Sequence, residues 1–544
     1  MNTRQLQTDK NQKLYHALLG ILLVCALAMM MLLSYWACKY SYYGAVDGRT
    51  RGVLVGDKTW AHIAFFFAAS LCTMGIDKVL MKKDKSQQEK ICLCTLIVTS
   101  VIAFILGVFY VCKNPYYPVG DQINTTAFAA YCRDGNFSML SIGGYVGMYQ
   151  QQKGLAILYE SLFTLFGDFN YRPAKILHVV WWILTILAGY GFLKLNTDRP
   201  VFRMLYCVMM LGCFPLLFYL PYIYGDVLSI SFGIILFYGV AAYEHSGQKR
   251  YIALASFAAG LAVLARKNTW IVLVAVAVYV LLVSLRKKKV RYLMAGTAIL
   301  LTAALSVKAV DVIYEVRSGY PSGVGIPSIL WVAMGLQETE GRAGVYNRYQ
   351  QATFTDYDCQ QELAAQQGKE YIRERLEEFS QDPGMAFNFF KNKVEGQWIE
   401  PMYAALESTE SFEEGAELSP VLESLYYGEL GRTIWKLTNY YQSILYLAGL
   451  MALVMLGILW WKKKEVPISL WLPWIAVFGG FLFSILWEAK SRYVFPYCVF
   501  MILYAPEGLY QTGLLLCKLP KLRKFKKSGH TQDKGEEASL RETA

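Results

Sequence analysis

The chain has 544 residues, 55% of them hydrophobic, and a formal charge of +12. That much apolar content, gathered in long blocks between charged breaks, excludes a soluble enzyme and marks an integral membrane protein. The positive charge does not point to a nucleic-acid partner, because the lysines and arginines sit at the ends of apolar blocks, where cytoplasmic loops carry them.

Residues 1 to 13 are polar and basic, and an apolar block from about Leu14 to Trp36 follows. It has no small-residue cleavage pattern, so it reads as a retained helix and not a removed signal peptide. Further blocks run roughly 60–80, 91–112, 172–193, 203–222, 226–243, 251–266, 269–286, 291–310, 440–461, 466–487 and 491–512. They predict an all-α integral membrane protein with about twelve transmembrane helices. The segment Gly154 to Phe166 is apolar but too short to span and carries Glu160, which predicts a juxtamembrane helix lying in or dipping into the interface.

Basic clusters follow alternate spans: Lys82 to Lys90, Lys194 to Arg203, Lys249 and Arg250, Arg286 to Arg291, Lys462 to Lys464, and Lys518 to Lys527. All fall on one face, with the amino terminus, only if the segment 154–167 does not cross. The expected localisation is the cell (plasma) membrane, multi-pass, with both termini cytoplasmic and the opposite loops extracellular. The expected organisation is two N-terminal helices in 1–89 and a further group of helices in 90–310 whose first external loop is 113–169. An external domain fills 311–438, C-terminal helices fill 439–512, and a cytoplasmic tail, basic then polar, fills 513–544.

The insert 311–438 holds 21 acidic and 10 basic residues, a net of −11, while the rest of the chain carries +23. Within it, Q-E-L-A-A-Q-Q-G-K-E-Y-I-R-E-R-L-E-E-F predicts a charged helix ended near Asp382-Pro383-Gly384. A second predicted helix, A-F-N-F-F-K-N-K-V-E-G-Q-W, precedes Glu400-Pro401, so the insert reads as a small helical external domain. The 12 cysteines show no C-x-x-C spacing, and Cys132 and Cys359, both in external loops, are the one candidate pair.

Ionisable residues on the outer face are few and gather. Asp121 follows span three, Asp226 stands between spans five and six, Arg266 and Lys267 between seven and eight, and Glu488, Lys490 and Arg492 between eleven and twelve. Charges near spans are costly and usually face a cavity or a partner. Together these could hold a phosphate beside a group that must lose a proton. Each also has a plainer reading: Asp121 and Asp226 as helix N-caps after glycine, Glu488 as an i,i+4 partner of Arg492, and Arg266 and Lys267 as charges in a hydrated turn. Asp356-Tyr357-Asp358 spells a D-x-D but falls in the external insert and reads as a loop. There is no Walker loop and no H-E-x-x-H, and the five histidines form no ligand set.

Four local patterns carry a resemblance: P-V-G-D-Q at Asp121, Q-Q-K-G-L-A-I-L-Y-E-S-L-F-T-L-F-G, F-P-L-L-F-Y-L-P-Y-I-Y-G-D at Asp226, and E-A-K-S-R-Y-V-F-P-Y at Arg492. I-P-S-I-L-W-V-A-M-G-L is a fifth. With them the chain, over about 90–512, resembles the GT-C class of membrane glycosyltransferases. That superfamily uses polyprenyl-phosphate sugars and includes protein O-mannosyltransferases and aminoarabinose transferases, and the nearest likeness is to a bacterial branch.

The resemblance implies a GT-C fold and an inverting hexosyl or pentosyl transfer to a hydroxyl acceptor (cell-surface glycan, lipid or protein) outside the membrane. It implies Asp121 as base toward the acceptor or as metal ligand, Asp226 as the second acid, and Arg492 near the lipid phosphate. Arg266, Lys267, Glu488, Gln122 and Tyr224 are the expected substrate-binding neighbours. Lys153 stands where relatives carry a lysine before paired prolines, although here Gly154 replaces the first proline. No cofactor is required by this reading; Asp121 and Asp226 are the candidate ligands if a divalent metal, Mg²⁺ or Mn²⁺, takes part. The alternative class is a multi-spanning transporter or lipid-linked-sugar flippase, which would be expected to show two similar halves and mid-membrane charges. A non-catalytic assembly scaffold would leave the outer-face charges without a lipid to hold.

Overall fold

A computed structural model describes residues 3–43 and 53–518, with side chains from residue 11 onward. The predicted tail beyond 518 lies outside the described residues. Among those described, nine helices are long and apolar enough to cross a membrane: Asn11–Lys39, Thr59–Leu80, Lys85–Lys113, Arg172–Asn196, Asp226–Ser246, Lys267–Lys287, Val290–Ser318, Glu429–Trp461 and Ile468–Leu486. Strand is confined there to two short antiparallel ribbons, Tyr40–Tyr43 with Val53–Gly56 and Glu338–Thr339 with Arg342–Ala343. The protein is an all-α, multi-pass membrane protein.

The other three predicted spans are shorter or broken. Pro200–Leu211 stops at Gly212, and a separate turn of helix, Phe214–Phe218, begins around Pro215. Ser491–Met501 carries Pro496 inside it, and helix resumes only over 505–518, where Pro506 cannot donate a backbone hydrogen bond to the preceding turn. Lys249–Ala265 is unbroken but has 17 residues, fewer than the roughly 20 that a bilayer core asks of an upright helix.

Burial ranks the helices by depth in the bundle. The apolar window of Asp226–Ser246 is 83% buried, against 28% for Lys85–Lys113 and for Val290–Ser318. The first is therefore the central helix and the other two show most of their surface outward, as lipid-facing helices do. The two N-terminal helices pack on Glu429–Trp461: Leu23 lies against Gly457, Met30 against Gly449, and His62 meets Ser443 Oγ at 2.7 Å.

Lys175 Nζ donates to Tyr116 O at 2.8 Å, so the chain leaves Lys85–Lys113 and enters Arg172–Asn196 at the same end of the bundle. The intervening stretch, including the helix Lys153–Phe166, does not traverse it. That helix buries Leu155, Ala156, Tyr159 and Phe163 and leaves Leu165 and Phe166 exposed. Ion pairs Lys153–Asp311 at 2.5 Å and Glu160–Arg317 at 2.6 Å tie it to Val290–Ser318.

The acidic insert is mostly helical, with Gln361–Gln381 and Pro383–Trp398 close to their predicted bounds. Asp382 caps the second by accepting from the Met385 amide at 2.9 Å, and Pro383 occupies its first turn. Two small cores belong to the insert, one around Leu330, Phe354 and Ala364, the other around Leu336, Phe379 and Phe389. Its later part is different: Trp398, Ile399, Met402 and Tyr403 join the main core of the bundle, and Trp398 Nε1 donates to Ser484 Oγ at 3.0 Å. The expected limits at 311 and 438 fall inside helices, because Val290–Ser318 and Glu429–Trp461 have 29 and 33 residues and run on past their apolar parts.

Candidate functional site

The start of Asp121–Arg133, the loop at Tyr222–Tyr224, the start of Lys267–Lys287 and the turn at 487–492 converge at one end of the bundle around a cavity of about 750 Å³, and Asp226 lies off it, on a small adjoining pocket with Arg266 and Arg492. Asp121, Gln122, Tyr224, Arg266, Lys267, Glu488 and Arg492 line it, as does Lys490.

Asp121 is the first residue of its helix, behind Gly120, whose φ of +58° suits glycine. The carboxylate makes no cap hydrogen bond and instead accepts from Tyr145 Oη at 2.8 Å. Gln122 Nε2 donates to Tyr222 Oη, and the same phenol is met by the Arg492 guanidinium. Gln152 Nε2 donates to Tyr224 Oη at 2.6 Å.

Asp226 follows Gly225, a position where any Cβ would collide with Ala265 O, so the second loop can rest directly on the Arg266 turn. Its carboxylate is buried and also makes no cap bond. Oδ1 stands 3.5 Å from Arg266 Nη2 and 4.0 Å from Arg492 Nε. These contacts are long, and Asp226 Oδ2 and Arg492 Nε have no hydrogen-bond partner. Buried polar atoms left open in this way are uncommon in folded proteins and suit a site that a ligand or water completes. The arginines lie on aromatic faces, Arg266 at 4.8 Å from the Tyr224 ring and Arg492 at 5.2 Å from the Tyr222 ring.

Glu488 precedes the helix that holds Arg492 and so is not its i,i+4 partner. Both its oxygens stand 3.4 Å from Tyr493 Oη. Burial pushes its carboxyl up to about 7, with Asp121 adding to the rise and Lys490 opposing it.

One expectation needs correction. Lys153 does not reach the cavity: its ammonium pairs with Asp311 and donates to Gln150 Oε1 at 3.0 Å and Ser322 Oγ at 2.8 Å. Gly154, in place of proline, lets its helix pack on the neighbouring one, since a Cβ there would lie 2.6 Å from Leu264 O. Cys132 and Cys359 are both free thiols. Asp226 is turned to two guanidinium groups while Asp121 faces a phenol. Among the described residues no three His, Cys, Asp or Glu side chains gather as metal ligands.

The residue-by-residue reading missed Tyr145, Tyr222, Tyr493, Arg348 and the tryptophans Trp331 and Trp487. Tyr222 and Tyr493 lie inside the motifs that supply Asp226 and Arg492, so their proximity was there to be read. Tyr145 and Arg348 carry no such signal.

What fold and site define together is a multi-pass helical membrane protein with a charged, aromatic-lined cavity at one end of its bundle. Comparison with protein-family models, curated proteins and solved structures found no match for the chain.

Proposed function

We propose that the protein is an inverting membrane glycosyltransferase of the GT-C class, moving a sugar from a polyprenyl-phosphate donor to a hydroxyl acceptor at the outer face of the membrane. The observation that carries this reading is the shared cavity. A carboxylate at the start of one external helix, Asp121, opens onto the same hollow as two arginines whose only acidic partner, among the ion pairs of the described residues, is Asp226 at long range.

The acceptor oxygen attacks the anomeric carbon from the face opposite the phosphate, and its proton passes to Asp121. The bond from the anomeric carbon to the phosphate oxygen breaks with both electrons on that oxygen. Arg492 and Arg266 stabilise the charge that develops there, with Lys267 and Lys490 nearby. Asp226 holds the two guanidinium groups without neutralising them fully. Gln122 and Tyr224, each hydrogen-bonded to a neighbour, keep the loops in register around this centre.

In this arrangement all twelve apolar segments cross, the cavity faces outside, and the helix Lys153–Phe166 lies in the interface with its exposed Leu165 and Phe166 toward lipid. The polyprenyl tail enters between the bundle and that helix. The test is release of polyprenyl phosphate from a lipid-linked sugar by the purified full-length protein, with Arg492→Gln as comparison. No release, or undiminished release by Arg492→Gln, sinks the reading.

A further inference from the structure

The cavity has two chemically different halves, and the proposed reaction uses only one. The inner half holds Arg266, Arg492, Asp121 and Glu488. The outer half is built from the insert, the first loop and the 487–492 turn: Trp331 on the helix Ile329–Gly335, Trp487, Tyr149, Tyr346, Arg348 and the amides of Gln350 and Gln351.

Trp331 and Trp487 lie nearly parallel, 4° between planes and 5.9 Å between centroids, and both are half-buried cavity-lining residues. Their pairing is held by backbone contact, since Gly335 sits directly against Leu486 O. Tyr149 meets Trp331 edge-on at 6.2 Å, and its hydroxyl is 3.5 Å from Gln351 Oε1. Gln350 is fully buried in this wall, and neither its amide nitrogen nor its amide oxygen has a hydrogen-bond partner. An amide buried with donor and acceptor both open is costly to keep unless something completes it.

We propose that this outer half is a saccharide-binding subsite for the acceptor, so that the hydroxyl receiving the sugar belongs to a glycan; this rests on the glycosyltransferase reading above. A pyranose offers one flat C–H face and a rim of hydroxyls that donate and accept. Flat indole and phenol rings match the face, and carboxamides, which do both, match the rim. The cavity volume lies within the roughly 300–1,000 Å³ typical of small-ligand pockets, with room for a ring in each half.

The test uses the full-length protein in detergent and three neutral disaccharides, chitobiose, maltose and mannobiose, followed by tryptophan emission and saturation-transfer NMR. At least one is expected to bind, about tenfold more weakly to Trp331→Ala, the scale of one lost stacked ring. Trp331→Phe, which keeps a flat face, is expected to recover most of that loss. Tyr346 is 47% exposed and can be truncated without opening the core, so Tyr346→Ala gives a second reading if Trp331→Ala fails to fold. No binding by any of the three, or binding unaffected in both alanine variants, overturns the subsite. So does a serine-containing peptide that binds in a Trp331-dependent way where the sugars do not. Undecaprenyl phosphate is measured separately on the unaltered protein. Disaccharide binding without lipid binding removes the donor reading and leaves this subsite, and the reverse result removes the subsite alone.

Discussion

The two ends of the helix Asp226–Ser246 carry one buried carboxylate each, about 27 Å apart along the axis, and treat them in opposite ways. Glu244 is fully occupied: it accepts from Tyr279 Oη and the Ser469 amide at 2.8 Å each, and Lys287 Nζ lies 2.9 Å away. Asp226 has two arginines at long range and one oxygen with no partner. The first arrangement joins three segments and leaves nothing over for a ligand. The second leaves guanidinium capacity unspent on the wall of a cavity. Charge in a membrane bundle thus serves cohesion where it is matched, and becomes available for binding where it is not.

Substitutions at the two ends should separate those roles. Asp121→Asn keeps an oxygen for Tyr145 to donate to, so the fold is expected to hold while transfer falls by about 10²–10⁴-fold, the usual share of a general base. Polyprenyl phosphate release and the thermal midpoint, measured on the same preparation, check both parts. At the other end, Glu244→Ala leaves Lys287 without its carboxylate and is expected to cost about 3 kcal/mol, the low end for a broken buried pair because Lys287 is partly exposed. Protein that stays folded should transfer at the unaltered rate. A loss of activity per folded molecule equal to that of Asp121→Asn would mean that the two ends are not separate.

A smaller effect follows from pH. Burial lifts the Glu488 carboxyl from 4.5 to about 7 and the Glu400 carboxyl from 4.5 to about 8. Between the unfolded and folded values the folded chain binds more protons, so these groups stabilise it at acid pH and lose that contribution as pH rises through the window. Lys393, pushed down by burial from 10.5 to about 7, has the opposite slope above 7, because there the unfolded chain binds the extra proton. The midpoint should therefore decline from pH 5 toward 7, and Glu488→Gln should flatten that decline while leaving the part due to Glu400. An unchanged slope in Glu488→Gln would place the titration elsewhere. The smallest effect is expected for Arg373→Ala on Gln361–Gln381. Its pair with Glu370 spans 3.8 Å with both side chains more than half exposed, so stability should move by less than about 0.5 kcal/mol.

Much of the helical framework was legible in advance, because a bilayer asks for uninterrupted apolar length and the chain writes that length locally. Nine predicted blocks are single long helices, and the three that are not contain a proline break or stop short. The charged rim was legible for the same reason: few ionisable residues are tolerated beside spans, so Asp121, Asp226, Arg266, Lys267, Glu488 and Arg492 stood out. Lys153 stood out equally and was misplaced, since nothing near it in the chain reveals that Asp311 takes its charge. The aromatic half of the cavity was hidden because tryptophans and tyrosines near span ends are ordinary interface anchors, and only packing shows which of them meet.

Residue order alone is enough to establish a membrane protein of many helices, where most of those helices start and stop, and which charges were too costly to be accidental. Length, hydropathy and the scarcity of charge are properties of neighbouring residues, so local reading recovers them. Tertiary structure alone decided that Gln122 and Arg492 share one phenol, that Asp226 keeps an oxygen free while Glu244 keeps none, and that two tryptophans from distant segments stack across the same hollow. Those outcomes depend on how segments far apart in the chain pack together, and no local pattern encodes the distance between them.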